Sequence, residues 1–358
     1  MPPTPPTSPP GNQIPCLFTH LGEPKPIGEH DWPERTVPLL SIVCFTYKQE
    51  KFIAECMDGF LIQETTFPVE IIIHDDASPD RTAEIVRAYH DKYPRLIRPI
   101  FQTENQYRQG KDFTRDVYIG AKGDYIAICE GDDYWTDPAK LQAQVDYLEK
   151  HSESALCCHR VKAMDTECQK ELFQYPGLVY RTGTYSTEQL LQDDFVPTCS
   201  VVFRRAFVPV IPAEFRRLKM GDWQSWVFIS LNGTIAFMET AMAHYRVHGG
   251  GMWSSLSSLE QLNAIRDLFQ VFLRHLDRRL RPTCQRKLAD VYYRIAETYS
   301  GISDRRAANT YAFRALRLMR FGDLRKAAAV LKLLFKTNFP RLFHHLRRGY
   351  KGIFARGE

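Results

Sequence analysis

This 358-residue chain has no uninterrupted apolar stretch near the roughly 18–20 residues of a membrane span, so a spanning protein is not expected. Its first residues lack a basic segment followed by an apolar one, so no signal peptide is expected either. Cys-x-x-Cys pairs are missing. The nine cysteines are odd in number and scattered, which points to reduced thiols in a cytosol and away from a disulfide framework or zinc site. Neither Gly-x-Gly-x-x-Gly nor Gly-x-x-x-x-Gly-Lys-Ser/Thr follows a strand-like segment, and dinucleotide and P-loop readings fall with them. Residues 2–10 (Pro-Pro-Thr-Pro-Pro-Thr-Ser-Pro-Pro) lack side chains that pack and are expected to form a disordered tail. No internal repeat persists.

What remains is an ordinary globular composition, 44% apolar and 25% charged, in a length that suits one large domain with an appendage or two domains. The net charge of +5 conceals an asymmetry. From Gly301 to Glu358, 14 Lys/Arg face 3 Asp/Glu, about +11, which leaves residues 1–300 at about −6. An acidic main domain argues against nucleic acid as a partner. The chain accordingly divides into a Pro-rich tail over 1–36, a main domain over 37–253 and a basic helical region over 254–358.

Apolar runs bounded by turn residues read as buried strands at Leu39–Phe45, Val69–Ile73, Ile97–Phe101 and Tyr125–Cys129. Between them, Phe52, Cys56 and Phe60 recur at helical spacing, and Ser78 or Asp80 offers a cap for a second helix. Asp137-Pro138 opens another, with Leu141, Val145 and Leu148 on one face. Alternation of strand and helix implies right-handed crossovers and a mostly parallel, Rossmann-like α/β sheet flanked by helices. Later strands are expected at Leu156–Val161, Ser200–Phe203, Thr234–Met238 and His244–Val247, a helix at Trp223–Leu231, and only helices beyond Ser254.

Two of these strands end in acids: Asp75/Asp76, and Glu130, Asp132 and Asp133 around Gly131. Open α/β sheets bind ligands at the carboxyl ends of their strands. Three carboxylates within four residues repel one another unless a cation neutralises them, and hard oxygen ligands favour Mg²⁺ or Mn²⁺ with a bound phosphate. Against this stands the plain reading of a solvated acidic loop. Lys111, after Gly110, is a candidate phosphate helper, although any single lysine is more often simply on the surface. Asp222, before a helix, would by itself read as an N-cap.

Taken in order, Leu40–Tyr47, His74–Asp80, Glu130–Trp135, Gly221-Asp222-Trp223 and Tyr245-Arg246-Val247-His248 resemble family 2 glycosyltransferases of the GT-A fold. The similarity runs from about Val37 to Trp253, with an α-helical extension after it. The resemblance implies a nucleotide-diphosphate sugar donor of UDP or dTDP type, a divalent cation (Mn²⁺ or Mg²⁺), and transfer with inversion to a glycan or lipid-linked acceptor in cell-surface polysaccharide synthesis. By resemblance, Thr46 and Tyr47 with Asp75 and Asp76 would hold the nucleoside. Glu130, Gly131 and Asp133 would line the donor, Asp132 and His248 would hold the metal, and Asp222 would be the catalytic base. Departures are Glu130 for the usual Asp, Ala77 for a common glycine, and Gly221 for a common acid. No Gln-x-x-Arg-Trp sequence occurs, so processive polymerisation is not expected. A nucleotide-sugar-binding scaffold without activity stays as the alternative; a nucleotidylyltransferase lacks its Gly-rich basic loop here. The basic amphipathic segment Leu316–Phe354 suits either an anionic membrane surface, placing a cytoplasmic enzyme peripherally on the bilayer, or packing on the main domain.

Overall fold

The computed structural model describes residues 25–30, 36–166, 170–319 and 324–340; the Pro-rich stretch 2–10 lies outside the described residues, whereas Lys25–His30, expected within a tail over 1–36, are placed against the main domain with Ile27 buried. In chain order the strands are β1 (Lys25–Pro26), β2 (Leu40–Thr46), β3 (Glu64–Thr65), β4 (Val69–Asp75), β5 (Ile97–Phe101) and β6 (Tyr125–Glu130). They continue as β7 (Tyr134–Trp135), β8 (Ser154–Asp165), β9 (Glu171–Tyr175), β10 (Gly183–Tyr185), β11 (Val202–Arg204) and β12 (Thr234–Val247). Strands β1 and β3 form a small antiparallel pair; the others make a ten-stranded sheet in the order β10-β12-β8-β11-β6-β2-β4-β5, with β7 beside β12 and β9 beside β8.

The first half is parallel, because β2, β4, β5 and β6 are joined by helical crossovers. Strand β11 then enters antiparallel between β6 and β8, so the sheet as a whole is mixed. The chain steps from β2 outward to β4 and β5, then returns to the other side of β2 as β6. The switch point therefore lies between the ends of β2 and β6, where a doubly wound sheet opens a crevice.

Successive side chains of a strand point to opposite faces, and both faces here are buried. Ile42, Cys44, Ile71, Ile73, Ala127 and Cys129 join one core with α1 (Ile53–Leu61), α2 (Thr82–Lys92) and α4 (Lys140–Lys150). Val43, Ile72, Ile126 and Ile128 face the other, with α3 (Phe113–Gly120), α5 (Thr187–Gln192) and α6 (Asp222–Ser230). That second core runs on into α7 (Ser258–His275), α8 (Arg281–Gly301), α9 (Arg305–Leu318) and α10 (Leu324–Asn338), through Leu268, Phe269, Phe272, Leu288, Ala312 and Val330. The described part of the helical region thus shares a core with the sheet. Helix α7 starts with a capping box, Ser257 and Glu260 each accepting from the other's backbone N–H.

Two strands expected at Thr234–Met238 and His244–Val247 are one strand, β12, which stays paired with β8 through register shifts between Met238 and Ala243. Bulges absorb the polar residues that read as a break in sequence. Helix α3, helix α5 and strands β9 and β10 were not expected from periodicity; each is short. The described cysteines, Cys44, Cys56, Cys129, Cys157, Cys158, Cys199 and Cys284, are buried free thiols.

Candidate active site

Register brings the first candidates together. Thr46 on β2 pairs with Asp75 on β4, and Phe45 pairs with Glu130 on β6. Adjacent strands lie about 4.8 Å apart, so Asp75, Thr46 and the Glu130 turn stand side by side. The turns after β2 and β4 are laced by side chains: Lys48 N–H donates to Ser78 Oγ (3.0 Å), Gln49 N–H to Thr82 Oγ1 (2.9 Å) and Glu50 N–H to Asp80 Oδ2 (3.2 Å). Asp80 also accepts from Thr82 N–H, at the start of α2. Lys48 and Ala77 sit at φ 57° and 59°, left-handed values that favour glycine. A glycine at position 77 would adopt this angle without strain.

In this corner several polar atoms are buried without a protein partner: Thr46 Oγ1, Gln49 Oε1 and Asp75 Oδ1. Buried polar atoms are normally satisfied, so a cluster of orphans at a strand end marks a place for a ligand. The other Asp75 oxygen accepts from Ser78 N–H (3.1 Å). Asp76 is engaged differently, taking the N–H groups of Gln106 (2.6 Å) and Tyr107 (3.1 Å) and so fixing the loop after β5. Lys48 Nζ lies 5.4 Å and the Arg108 guanidinium 6.0 Å from the centre of the Tyr47 ring. Gly131 closes the notch: a Cβ there would come within 2.9 Å of Thr46 Oγ1 and collide with Gln49 Oε1. Lys111 is exposed on the same loop system, in a groove with Asp112, Arg115, Asp116, Val210 and Arg216.

The acidic turn is the second half of the site. Glu130, Asp132 and Asp133 each present an oxygen within 4.8 Å of the others. Glu130 is exposed on the cleft floor, yet the protein mass around it, then Asp132, Asp133 and Asp222, push its carboxyl well above the ordinary range. Burial, then Asp132, does the same to Asp133, opposed by the Arg246 N–H that donates to its Oδ1 (2.8 Å). His248 Nε2 lies 3.1 Å from Asp132 Oδ2, its ring against Phe52 at 4.8 Å, and Ser254 Oγ donates to its carbonyl (2.8 Å). Clustered carboxyl oxygens whose charges resist one another, joined by an imidazole, fit a hard divalent cation such as Mn²⁺ or Mg²⁺.

Arg246 holds the turn in place, a role sequence reasoning missed. Its guanidinium donates to the Asp132 carbonyl (2.6 Å), pairs with Glu55 of α1, and lies 4.2 Å over Tyr134. Residues 55, 132 and 246 are distant in sequence; only the Tyr245–His248 motif hinted that this strand end mattered.

Asp222 begins α6. Trp223 N–H donates to its Oδ1 (2.8 Å) and Thr198 Oγ1 to its Oδ2 (3.1 Å), so both oxygens are oriented. The cap position itself is Gly221, so the N-cap reading is one residue out. Thr198 lies in the turn before β11, the neighbour of β6, which brings Asp222 within electrostatic reach of Glu130. Beside it, burial and then the charge of Asp222 push Asp194 well above the ordinary carboxylate range. Neither Thr198 nor Asp194 carried a sequence signal.

Strand order, switch-point acids and a carboxylate at the head of α6 define an α/β domain of the GT-A type. Residues 41–209 match the family model described as "Glycosyl transferase family 2". Over those residues the chain carries a glycosyltransferase family 2 domain. An uncharacterized protein of Mycobacterium tuberculosis is 42% identical over 217 residues, covering 60% of this chain and 61% of that relative. The chain thus spans about three fifths of the length of such curated relatives. S. aureus TarS 1-349 in complex with UDP-GlcNAc matches in structure with a TM-score of 0.57 at 17% identity, over 87% of this chain and 91% of that one. A mannosyltransferase from Pyrobaculum calidifontis, in complex with GDP-Man and Mn²⁺, matches with a TM-score of 0.53 at 15% identity, over 87% and 85%. Among the described residues no helix is long and apolar enough to cross a membrane.

Proposed function

We propose that this protein transfers a sugar from a nucleoside diphosphate sugar to an acceptor hydroxyl, with inversion at the anomeric carbon. The observation that carries the reading is the grouping of three features at the carboxyl ends of neighbouring strands: orphaned polar atoms of Thr46, Gln49 and Asp75, the Glu130–Asp133 turn, and the doubly oriented Asp222.

Thr46, Tyr47 and Asp75 receive the base and ribose, and Asp76 keeps the enclosing loop in place. The open Asp75 oxygen can accept a hydrogen bond from a base N–H or a ribose hydroxyl. Glu130 and Gly131 line the donor, with Asp133 supporting the turn and Lys111 near the phosphates. Asp132 and His248, with Glu130, would hold the cation, which supplies positive charge against the diphosphate when bound. Asp222 takes the proton of the acceptor hydroxyl as its oxygen bonds to the anomeric carbon and the nucleoside diphosphate leaves from the opposite face. A positioned base of this kind contributes on the order of 10²–10⁴ in rate. Residues 37–253 are the catalytic unit. The acceptor is a glycan or lipid-linked hydroxyl of cell-surface polysaccharide synthesis, met at the cytoplasmic side, and transfer is non-processive.

The test is a melting-temperature panel of UDP, dTDP and GDP with Mn²⁺ or Mg²⁺, followed by turnover of Asp222→Asn with the stabilising donor. Nucleotide stabilisation retained by the variant, with turnover reduced about 10²–10⁴-fold, supports the assignment. Normal turnover removes Asp222 from the base role.

A further inference from the structure

Helix α10 is apolar on two sides: one is buried against its described neighbours, and on the other Leu324 and Leu331 are exposed. At 100° per residue, Val330, Leu333 and Thr337 fall on one face, buried against α8 and α9, where Lys326 Nζ pairs with Asp290 of α8 (2.8 Å). Leu324, Ala328 and Leu331 fall on another, with Phe335 half-buried beside them against the ring of Phe339 just past the helix end. Leu324 is 73% exposed, Leu331 56% and Phe339 57%. Arg325, Lys332 and Lys336 run along one edge of this stripe, all exposed, and residues 324–340 contain no Asp or Glu. Aliphatic and aromatic side chains in water beside a row of cations form the cross-section of a helix lying at a bilayer interface, not of a solvated helix face.

We propose that the outer face of α10 docks on an anionic lipid surface. Charge decides this occupant over the chain's own last residues. The segment 341–358 carries Arg341, Arg347, Arg348, Lys351 and Arg356 against Glu358 alone. Folded onto α10, it would set cations against Arg325, Lys332 and Lys336; beside anionic headgroups both segments are attracted together. Leu324, Leu331 and Phe339 enter the headgroup–acyl boundary while the basic edge pairs with lipid phosphates. Docking here anchors the protein through a helix packed on the sheet's second core, so the domain is held at a set orientation to the membrane. The surface stands independently of the transfer reading, since none of its residues belongs to the strand-end site.

Flotation of the full chain with phosphatidylglycerol/phosphatidylcholine vesicles, against pure phosphatidylcholine, tests it. The protein should float with the anionic vesicles, remain behind with the neutral ones, and dissociate as salt is raised. Lys332→Glu/Lys336→Glu and Leu324→Gln/Leu331→Gln should each lower the bound fraction about tenfold or more, with wild-type melting behaviour and unchanged hydrolysis of the donor. Equal flotation with neutral vesicles, none with anionic ones, or variants that float like the wild type would overturn the proposal.

Discussion

The two acidic strand ends divide their work in the same way. At the end of β4, Asp76 is committed to the backbone N–H groups of Gln106 and Tyr107, while its neighbour Asp75 keeps an oxygen with no protein partner. At the end of β6, Asp133 is committed to the N–H of Arg246, while Glu130 and Asp132 face the cleft and each other. At each end one carboxylate builds the loop, and one or two others keep an oxygen for a ligand. A run of acids in sequence is therefore not a run of equivalent ligands; the backbone donors that reach each one decide its role.

The sharpest way to break that comparison is Asp132→Ala. Cation-dependent nucleotide affinity and turnover should fall by ~10² or more, with little change in the melting temperature in the absence of ligand, as read by calorimetry and a donor-hydrolysis assay. Asp76→Ala should behave in the opposite way. Two N–H groups lose their acceptor, costing about 1–3 kcal/mol and a few degrees of melting temperature, with nucleotide affinity weakened only through the loosened loop.

A third test uses pH. The carboxyls of Glu130 and Asp133 are raised in the fold from ordinary values of 4.5 and 3.8. A raised acid contributes stability that is complete below its unfolded value and lost as pH rises through the folded one. With chelator present, the melting temperature should decline on going from about pH 5 to about pH 8, and Mn²⁺ should flatten the decline. Glu130→Gln should flatten it without metal. A slope unaffected by Mn²⁺ would separate these acids from the cation site. The smallest effect belongs to Ala77→Gly: release of the φ 59° residue should raise stability by about 0.5–1 kcal/mol, seen as a small rise in melting temperature, with unchanged kinetics.

Much of the parallel half was legible because its strands are long apolar runs ending in acids, and a sheet buried on both faces leaves that trace in sequence. The second half was less so. Strand β12 carries polar residues at its bulges and reads as two pieces, and α5, β9 and β10 are too short for periodicity to speak. Within the site, residues at strand ends could be found from their position, whereas Arg246, Thr198 and Asp194 act through partners far off in the chain. Arg246 meets Glu55 across 191 residues, a pairing no local pattern records. The same limit applied to α10: its basic amphipathic character was readable, but which face is buried depended on α8 and α9.

The central claim is that the strand-end corner and the acidic turn act as one donor site joined by a cation. Titration of nucleoside diphosphate into the protein by calorimetry, with Mn²⁺ and then with chelator, tests it most directly. The account predicts binding that Mn²⁺ strengthens in the wild type, and that loses this strengthening in Asp132→Ala while Asp76→Ala keeps it. Binding of equal strength with and without the cation, or an Asp132→Ala variant that still responds to Mn²⁺, would contradict it.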